Sequence, residues 1–392
     1  MPRIDSILQL VQAQGASDLH LVSGSAPMLR LHGDLHPIEY APLTSEVIVG
    51  LLAEIMTEDQ MMRYQALEET DFAYEVPGVV RLRCNVYQQA NGMAAAFRLL
   101  PTRILTVEQL GLPPQVLRIA EMNRGLVVVA GPPGCGKSTT LAAIVDHINR
   151  TRMKHVITLE HPIEYIHTNQ SCLMNQREVG RNTRSFADAL RAAMREDPNV
   201  ILVGEMNDRE SLALAISAAE TGPLVLGSLP TQSAMATVDR ILDAFPADQQ
   251  TQVRTQLADS LQGIVAQRLV KRADGRGRAA AVEILFGTHA VATLIREKKT
   301  FQIESVMKTG RREGMQTFND SLLGMVRTGV ITADDALGYG LDPDLLRSAQ
   351  REAEAVEADG LAETIPLEPS LADDDDLPRP GSLAARVVES DR

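Results

Sequence analysis

Residues 126–139 read Leu126-Val127-Val128-Val129-Ala130-Gly131-Pro132-Pro133-Gly134-Cys135-Gly136-Lys137-Ser138-Thr139, and this order decides the fold. The first five residues are a short apolar run of the kind a fully buried strand needs. Gly131 to Ser138 is a complete P-loop, and Thr139 to Ile148 has helix-compatible spacing. A strand, a glycine-rich turn and a helix in that order are the context in which this motif holds phosphates. Gly131, Gly134 and Gly136 let the backbone curl so that its N–H groups point at an anion near a helix N-terminus. Lys137 reaches the β- and γ-phosphates, and Ser138 offers a hydroxyl to Mg²⁺. Gly131, Pro132, Pro133, Gly134, Cys135, Gly136, Lys137, Ser138 and Thr139 are thus the expected ATP-binding segment, with Cys135 a small residue filling a variable position.

Beyond the P-loop, short apolar strands alternate with helices, which predicts a doubly wound α/β domain. Strands are expected at 125–130, 155–160, 199–204, 223–228 and 279–286, and helices at 137–149, 184–195, 208–220 and 246–262. Residues 116–287 form this domain in our reading, and 288–344 a helical cluster behind it. The first hundred residues read as a separate mixed α/β domain. Ser17 to Leu21 alternates as a strand. Met28 to His32 and Leu35 to Tyr40 suggest a hairpin turning at Gly33-Asp34. Thr44-Ser45-Glu46 opens a helix, and 72–75, 79–87 and 93–100 are further strands. The proline-rich stretch 101–115 reads as the linker.

Composition narrows the function classes. The chain has 392 residues and a net charge of −13, but 12 acidic against 4 basic residues after Gln350 place −8 of it in the last stretch. The remaining −5 suggests no nucleic-acid surface, and the absence of Trp and scarcity of other aromatics argue against base stacking. No stretch approaches the roughly 18 apolar residues of a membrane helix, and Met1 to Asp5 lacks a signal-peptide region. Cys84, Cys135 and Cys172 are scattered and odd in number, which predicts neither a disulfide framework nor a zinc site and fits a cytoplasmic location. The tail, 345–392, carries Asp373-Asp374-Asp375-Asp376 and reads as disordered, either merely solvated or an acidic interaction segment.

A P-loop gives nucleotide binding; hydrolysis also needs metal placement and an oriented water. Val200-Ile201-Leu202-Val203-Gly204-Glu205 is an apolar strand ending in a carboxylate, and Glu205 is the candidate for polarising that water. Ile157 to Glu164 is a second strand ending in acids, with Glu160 and Glu164 candidates for holding Mg²⁺ or the water. Arg81, Arg83 and Arg98 lie on strands of the first domain. They either face a nucleotide site across a domain or subunit interface or are salt-bridged strand arginines.

Together these segments resemble the PilT-type retraction ATPases of type IV pili, within the secretion ATPase superfamily. The resemblance covers about residues 1–340. It rests on Gly15-Ala16-Ser17-Asp18-Leu19-His20-Leu21, the P-loop through Thr139, Asn175 to Gly180, Arg195 to Asn199, Gly204-Glu205-Met206 and Gln316-Thr317-Phe318. It implies a PAS-like N-terminal domain, a RecA-like ATPase domain and a homo-hexameric ring driving twitching motility. It implies an inner-membrane pilus platform protein as partner, with a paralogous ATPase as a further one, and a site at the cytoplasmic face of that membrane. It places the Asp-box acid on Glu164, the catalytic glutamate on Glu205 and phosphate-contacting arginines near Arg81, Arg83 and Arg98. The three scattered cysteines favour the retraction branch over assembly and type II secretion ATPases, which usually carry a four-cysteine zinc motif.

Three departures stand out. Both histidine positions of the family's His box are prolines, Pro223 and Pro230. The family's Glu-Asp-Pro reads Glu160-His161-Pro162, and the first arginine of its retraction-linked helix is Ala292. Proline offers neither a side-chain donor nor a backbone N–H. An ATP-binding, weakly hydrolysing paralogue is therefore the alternative to an active motor.

Overall fold

The computed structural model describes residues 2–31, 34–67, 69–100 and 103–349. Residues 1–343 make one unit; of the second unit, Asp344–Arg392, the described residues 344–349 are helical. Residues 345–349, expected as the start of a disordered tail, are therefore helical; the tail from residue 350, the hairpin turn at Gly33 and the start of the linker lie outside the described residues.

The N-terminal part runs α1 (Arg3–Ala13), β1 (Asp18–Val22), β2 (Met28–Leu31), β3 (Asp34–Pro37), α2 (Ser45–Ala53), α3 (Glu58–Gln65), β4 (Thr70–Val76), β5 (Val80–Gln89) and β6 (Gly92–Leu100). Its antiparallel sheet has the order β3-β2-β1-β6-β5-β4. β5 alternates buried and half-exposed residues along its first seven positions. Val80, Leu82, Cys84 and Val86 therefore enter the core, while Arg81 and Arg83 share the opposite face. Leu82, Phe97, Leu19 and Leu21 pack there against Ile4 and Leu8 of α1 and Ile48 and Leu52 of α2. This is the PAS-like layer.

The second part runs α4 (Leu117–Glu121), β7 (Gly125–Ala130), α5 (Lys137–Thr151), β8 (His155–Glu160), β9 (Leu173–Glu178), α6 (Phe186–Ala193), β10 (Val200–Val203), α7 (Arg209–Thr221), β11 (Leu224–Leu229), α8 (Ala234–Asp243), α9 (Ala247–Ser260), β12 (Leu261–Lys271) and β13 (Arg278–Phe286). The helices α10 (His289–Arg296), α11 (Ile303–Thr309), α12 (Phe318–Arg327) and α13 (Ala333–Gly338) follow. Its sheet has the order β13-β12-β7-β11-β10-β8-β9, parallel throughout except for the β12–β13 pair. β7, β10 and β11 are buried at every position, because helices cover both faces of a parallel sheet and leave no solvent side for alternation. This is a RecA-like P-loop fold with helices appended after β13.

Three sequence expectations need correction. The helix expected over 246–262 stops at Ser260, and Leu261 begins β12, a central strand absent from the reading. Gln262, Gly263 and Gln267 interrupt its apolar run, although Gln267 is itself buried. β9 also went unread, because this edge strand shows a mostly polar sequence, Leu-Met-Asn-Gln-Arg-Glu. Val107 and Leu112, inside the expected linker, are buried in the larger core.

Candidate active site

Four strands of the parallel sheet end at one edge, the position where open α/β sheets bind ligands. β7 delivers the P-loop, β10 delivers Gly204-Glu205, β8 delivers Glu160 and the turn to Glu164, and β11 delivers Ser228 and Pro230. These ends face the six-stranded sheet across a cavity of about 640 Å³. Pro133, Gly134, Gly136, Lys137, Ser138, Thr139, Glu164, Glu205, Asn207 and Pro230 line one side, with Arg83 and Arg98 on the other.

The P-loop holds its shape through β12. Gln267 donates through Nε2 to the Cys135 carbonyl at 2.7 Å and accepts from the Thr140 hydroxyl at 2.8 Å. A Cβ on Gly131 would come within 2.4 Å of both Cys135 Sγ and the Gln267 carbonyl. Gly131, at φ +151°, and Gly136, at φ +92° as the N-cap of α5, adopt backbone that glycine tolerates at no steric cost. Lys137 Nζ donates to the Gly131 and Pro132 carbonyls at 3.0 and 3.3 Å. Thr139 Oγ1 and the Tyr165 hydroxyl lie 2.9 Å apart, joining α5 to the turn that carries Glu164.

Glu160 sits deeper, in a small cavity of about 40 Å³ that Ser138, Glu164, His167 and Glu205 also line. Its Oε1 accepts from Thr158 Oγ1 at 2.6 Å and from Gln176 Nε2 at 3.3 Å. Burial pushes its carboxyl up to about 7, against those two hydrogen bonds. Burial likewise pushes His167 down to about 4. Glu205, at the open mouth, accepts from Asn207 Nδ2 at 2.7 Å.

The three arginines part company. Arg83 and Arg98 are cross-strand partners on β5 and β6 and both line the cavity. Arg98 donates through Nε to Asp18 at 2.9 Å, and Arg83 lies 3.6 Å from Asp71. Arg81 lines a different cleft and binds the backbone of Ile163. Cys135 and Gly131 are buried beneath the loop rather than facing the cavity. Pro230 follows β11 into the cavity, whereas Pro223 precedes that strand, its carbonyl accepting from Gly125 N–H.

Gln267, Tyr165 and Asn207 carry no mark in the sequence as site residues, and Gln176 enters only within the segment Asn175 to Gly180, without a role. The available signal was polarity inside or beside apolar strands, weak in any one of them.

The profile of the Type II/IV secretion system protein family matches residues 1–338. The chain belongs to that family. Among its relatives, a type IV pilus retraction ATPase of Pseudomonas aeruginosa, PilT, is 47% identical over 85% of this chain and 96% of its own length. The type IV pilus ATPase PilU of the same organism is 37% identical over 95% of this chain and 97% of its own length. A crystal structure of the pilus retraction motor PilT with bound ADP superposes with a TM-score of 0.80 at 44% identity, covering 88% of this chain and 98% of that one. This secretion-family chain therefore shares its fold, over 88% of its length, with one motor solved with a bound nucleotide. No helix among the described residues is long and apolar enough to cross a membrane.

Proposed function

We propose that this ATPase is the hydrolysing motor of type IV pilus retraction, working as a homo-hexamer against a platform protein in the inner membrane. One observation carries this reading: the P-loop Lys137 and Ser138, Glu205 just after β10, Glu164 on the turn after β8 and the adjacent Arg83 and Arg98 share one cavity between two sheets. A triphosphate needs that combination of N–H cradle, cations and carboxylates. The similarity to PilT over nearly its whole length supplies the biological context.

Each residue then has a task. The P-loop from Gly131 to Thr139 cradles the phosphates, and Lys137 neutralises their charge. Glu205 orients and polarises the attacking water, and Glu164, which lines the same cavity, shares that role. Arg83 and Arg98 stabilise charge on the transferred phosphoryl group. The donor set suits Mg²⁺: Ser138 offers a hydroxyl beside Glu160, and the described residues contain no cage of three or more His, Cys, Asp or Glu side chains. That ion keeps waters and substrate oxygens as ligands, so Ser138 would hold it directly and Glu160 through water, and it would neutralise phosphate charge. In this reading residues 1–100 and 116–287 are the moving parts and 101–115 the connection between them.

Pro230 supports a second reading. It lines the cavity at the position of a family histidine and can donate no hydrogen bond. A weakly hydrolysing subunit beside a paralogous motor has the same P-loop and this defect. Complementation separates the two. Expressed in a bacterium lacking its own retraction ATPase, the chain restores twitching if it is the motor. Restoration requiring a co-expressed paralogue supports the accessory role.

A further inference from the structure

We infer that Arg81 is a positioning residue that ties the placement of Glu164 to the seating of the N-terminal sheet on the ATPase sheet. This rests on the motor reading for the role of Glu164, and on geometry for the tie itself.

Arg81 projects from β5 on the same face as Arg83, two residues away. Its Nε donates to the Ile163 carbonyl at 3.1 Å. Its other nitrogens reach Glu75, the opposite residue on β4, at 2.9 Å and Glu178, at the end of β9, at 3.7 Å. Glu178 is buried and accepts the Ile163 N–H at 3.1 Å. Both backbone groups of Ile163 are therefore held, one by the N-terminal sheet and the other by a carboxylate paired to the same arginine.

The Ile163 carbonyl and the Glu164 N–H belong to one peptide plane, which is rigid. Orienting that carbonyl orients the backbone from which the Glu164 side chain leaves. The far side of the turn is anchored to the ATPase sheet. His167 N–H donates to Gln176 Oε1 at 2.7 Å, and Gln176 Nε2 donates to the Tyr165 carbonyl at 2.8 Å. One end of the turn thus follows the ATPase sheet, and the Ile163 end also answers to β5.

Arg81 bridges a gap. A cleft of about 530 Å³, lined by Arg81, Tyr74, Glu75, His161, Glu178 and Arg181, separates the layers here. The guanidinium fork suits this geometry, since its donors leave in fixed directions toward a carbonyl and two carboxylates. A shift of β5 that carries Arg83 into or out of the nucleotide cavity moves the Ile163 anchor with it. The arginine at the phosphates and the acid at the water then arrive together.

The test uses the full chain in Arg81→Gln, Glu164→Gln and double-substituted forms, with two readouts. Steady-state turnover of Arg81→Gln is expected to fall about 10- to 100-fold in kcat, with KM for ATP and the affinity for ADP little changed. In the Glu164→Gln background the same change has no further effect on kcat, because both act through one group. Amide exchange of the peptide spanning 161–167 speeds up in Arg81→Gln, while peptides from β7 and α5 exchange as in the wild type. Additive losses of kcat, or unchanged exchange over 161–167, overturn the inference. Absence of turnover in the wild type would refute the motor reading instead, and exchange alone would then decide the role of Arg81.

Discussion

Arg83 and Arg98 stand directly opposite each other on β5 and β6, both facing the P-loop cavity. Like charges in such register repel, and the carboxylates Asp71 and Asp18, at 3.6 and 2.9 Å, offset only part of that charge, because Asp18 also pairs with Arg30 at 3.8 Å. A pair of this kind has a use when an anion enters between the sheets. Arg83→Gln and Arg98→Gln should each lower kcat by about 10²-fold or more, as removal of a positioned charge donor does. Thermal unfolding without nucleotide should be unchanged or slightly raised in both. A clear loss of nucleotide-free stability with normal turnover would mark them as structural ion pairs.

Gln267 reaches into the P-loop from β12 and satisfies both the Cys135 carbonyl and the Thr140 hydroxyl. Gln267→Ala leaves two buried polar groups without their partner, which costs about 1–3 kcal/mol for each group left unsatisfied. We expect lower stability in denaturant titrations together with weaker ADP binding. Stability loss with unchanged ADP affinity would separate Gln267 from the phosphate cradle.

Gly131→Ala tests the crowding beneath that loop. The added methyl meets Cys135 Sγ and the Gln267 carbonyl at the same 2.4 Å. Nucleotide binding should be lost, and Cys135→Ala should not restore it, since the carbonyl clash remains. Recovery in the double variant would show that the sulfur alone sets the limit.

The two prolines should behave differently. Pro230 lines the cavity and Pro223 lies at the opposite end of β11. Pro230→His is expected to raise kcat by about tenfold or more by adding a donor near the phosphates, whereas Pro223→His alone should leave it nearly unchanged. Equal gains from both would contradict this placement.

Glu160 gives a pH signature. Its carboxyl titrates near 7 in the folded chain, from an ordinary value of 4.5, because burial disfavours the anion. Between those values the folded state holds the extra proton, so this group's contribution lowers stability as pH rises through that window. Measured without nucleotide or divalent ions, the wild type should lose more melting temperature from pH 5 to 8 than Glu160→Gln, which keeps the Oε1 acceptor. Parallel pH profiles would remove Glu160 as the cause.

Much of this was legible because it follows from local chemistry. The buried runs of β7, β10 and β11, the P-loop and the strand-end Glu205 announce themselves in residue type and spacing. Thr44 caps α2 as its sequence suggests, accepting from Val47 N–H. β12 and β9 were hidden because tertiary partners, not propensity, justify a buried Gln267 and a polar edge strand. The fate of the arginines was hidden for a related reason. Arg81 and Arg83 share a strand face, but the sequence does not say that Ile163 waits opposite one and the P-loop opposite the other.

The most direct measurement is steady-state ATP turnover of the purified full-length chain beside its Glu205→Gln variant, with ADP affinity measured for both. An ATP-driven motor predicts turnover in the wild type that falls by about 10²-fold or more in Glu205→Gln while ADP binding persists. Wild-type turnover no higher than that of Glu205→Gln, with binding intact, would contradict the motor and leave a nucleotide-binding subunit.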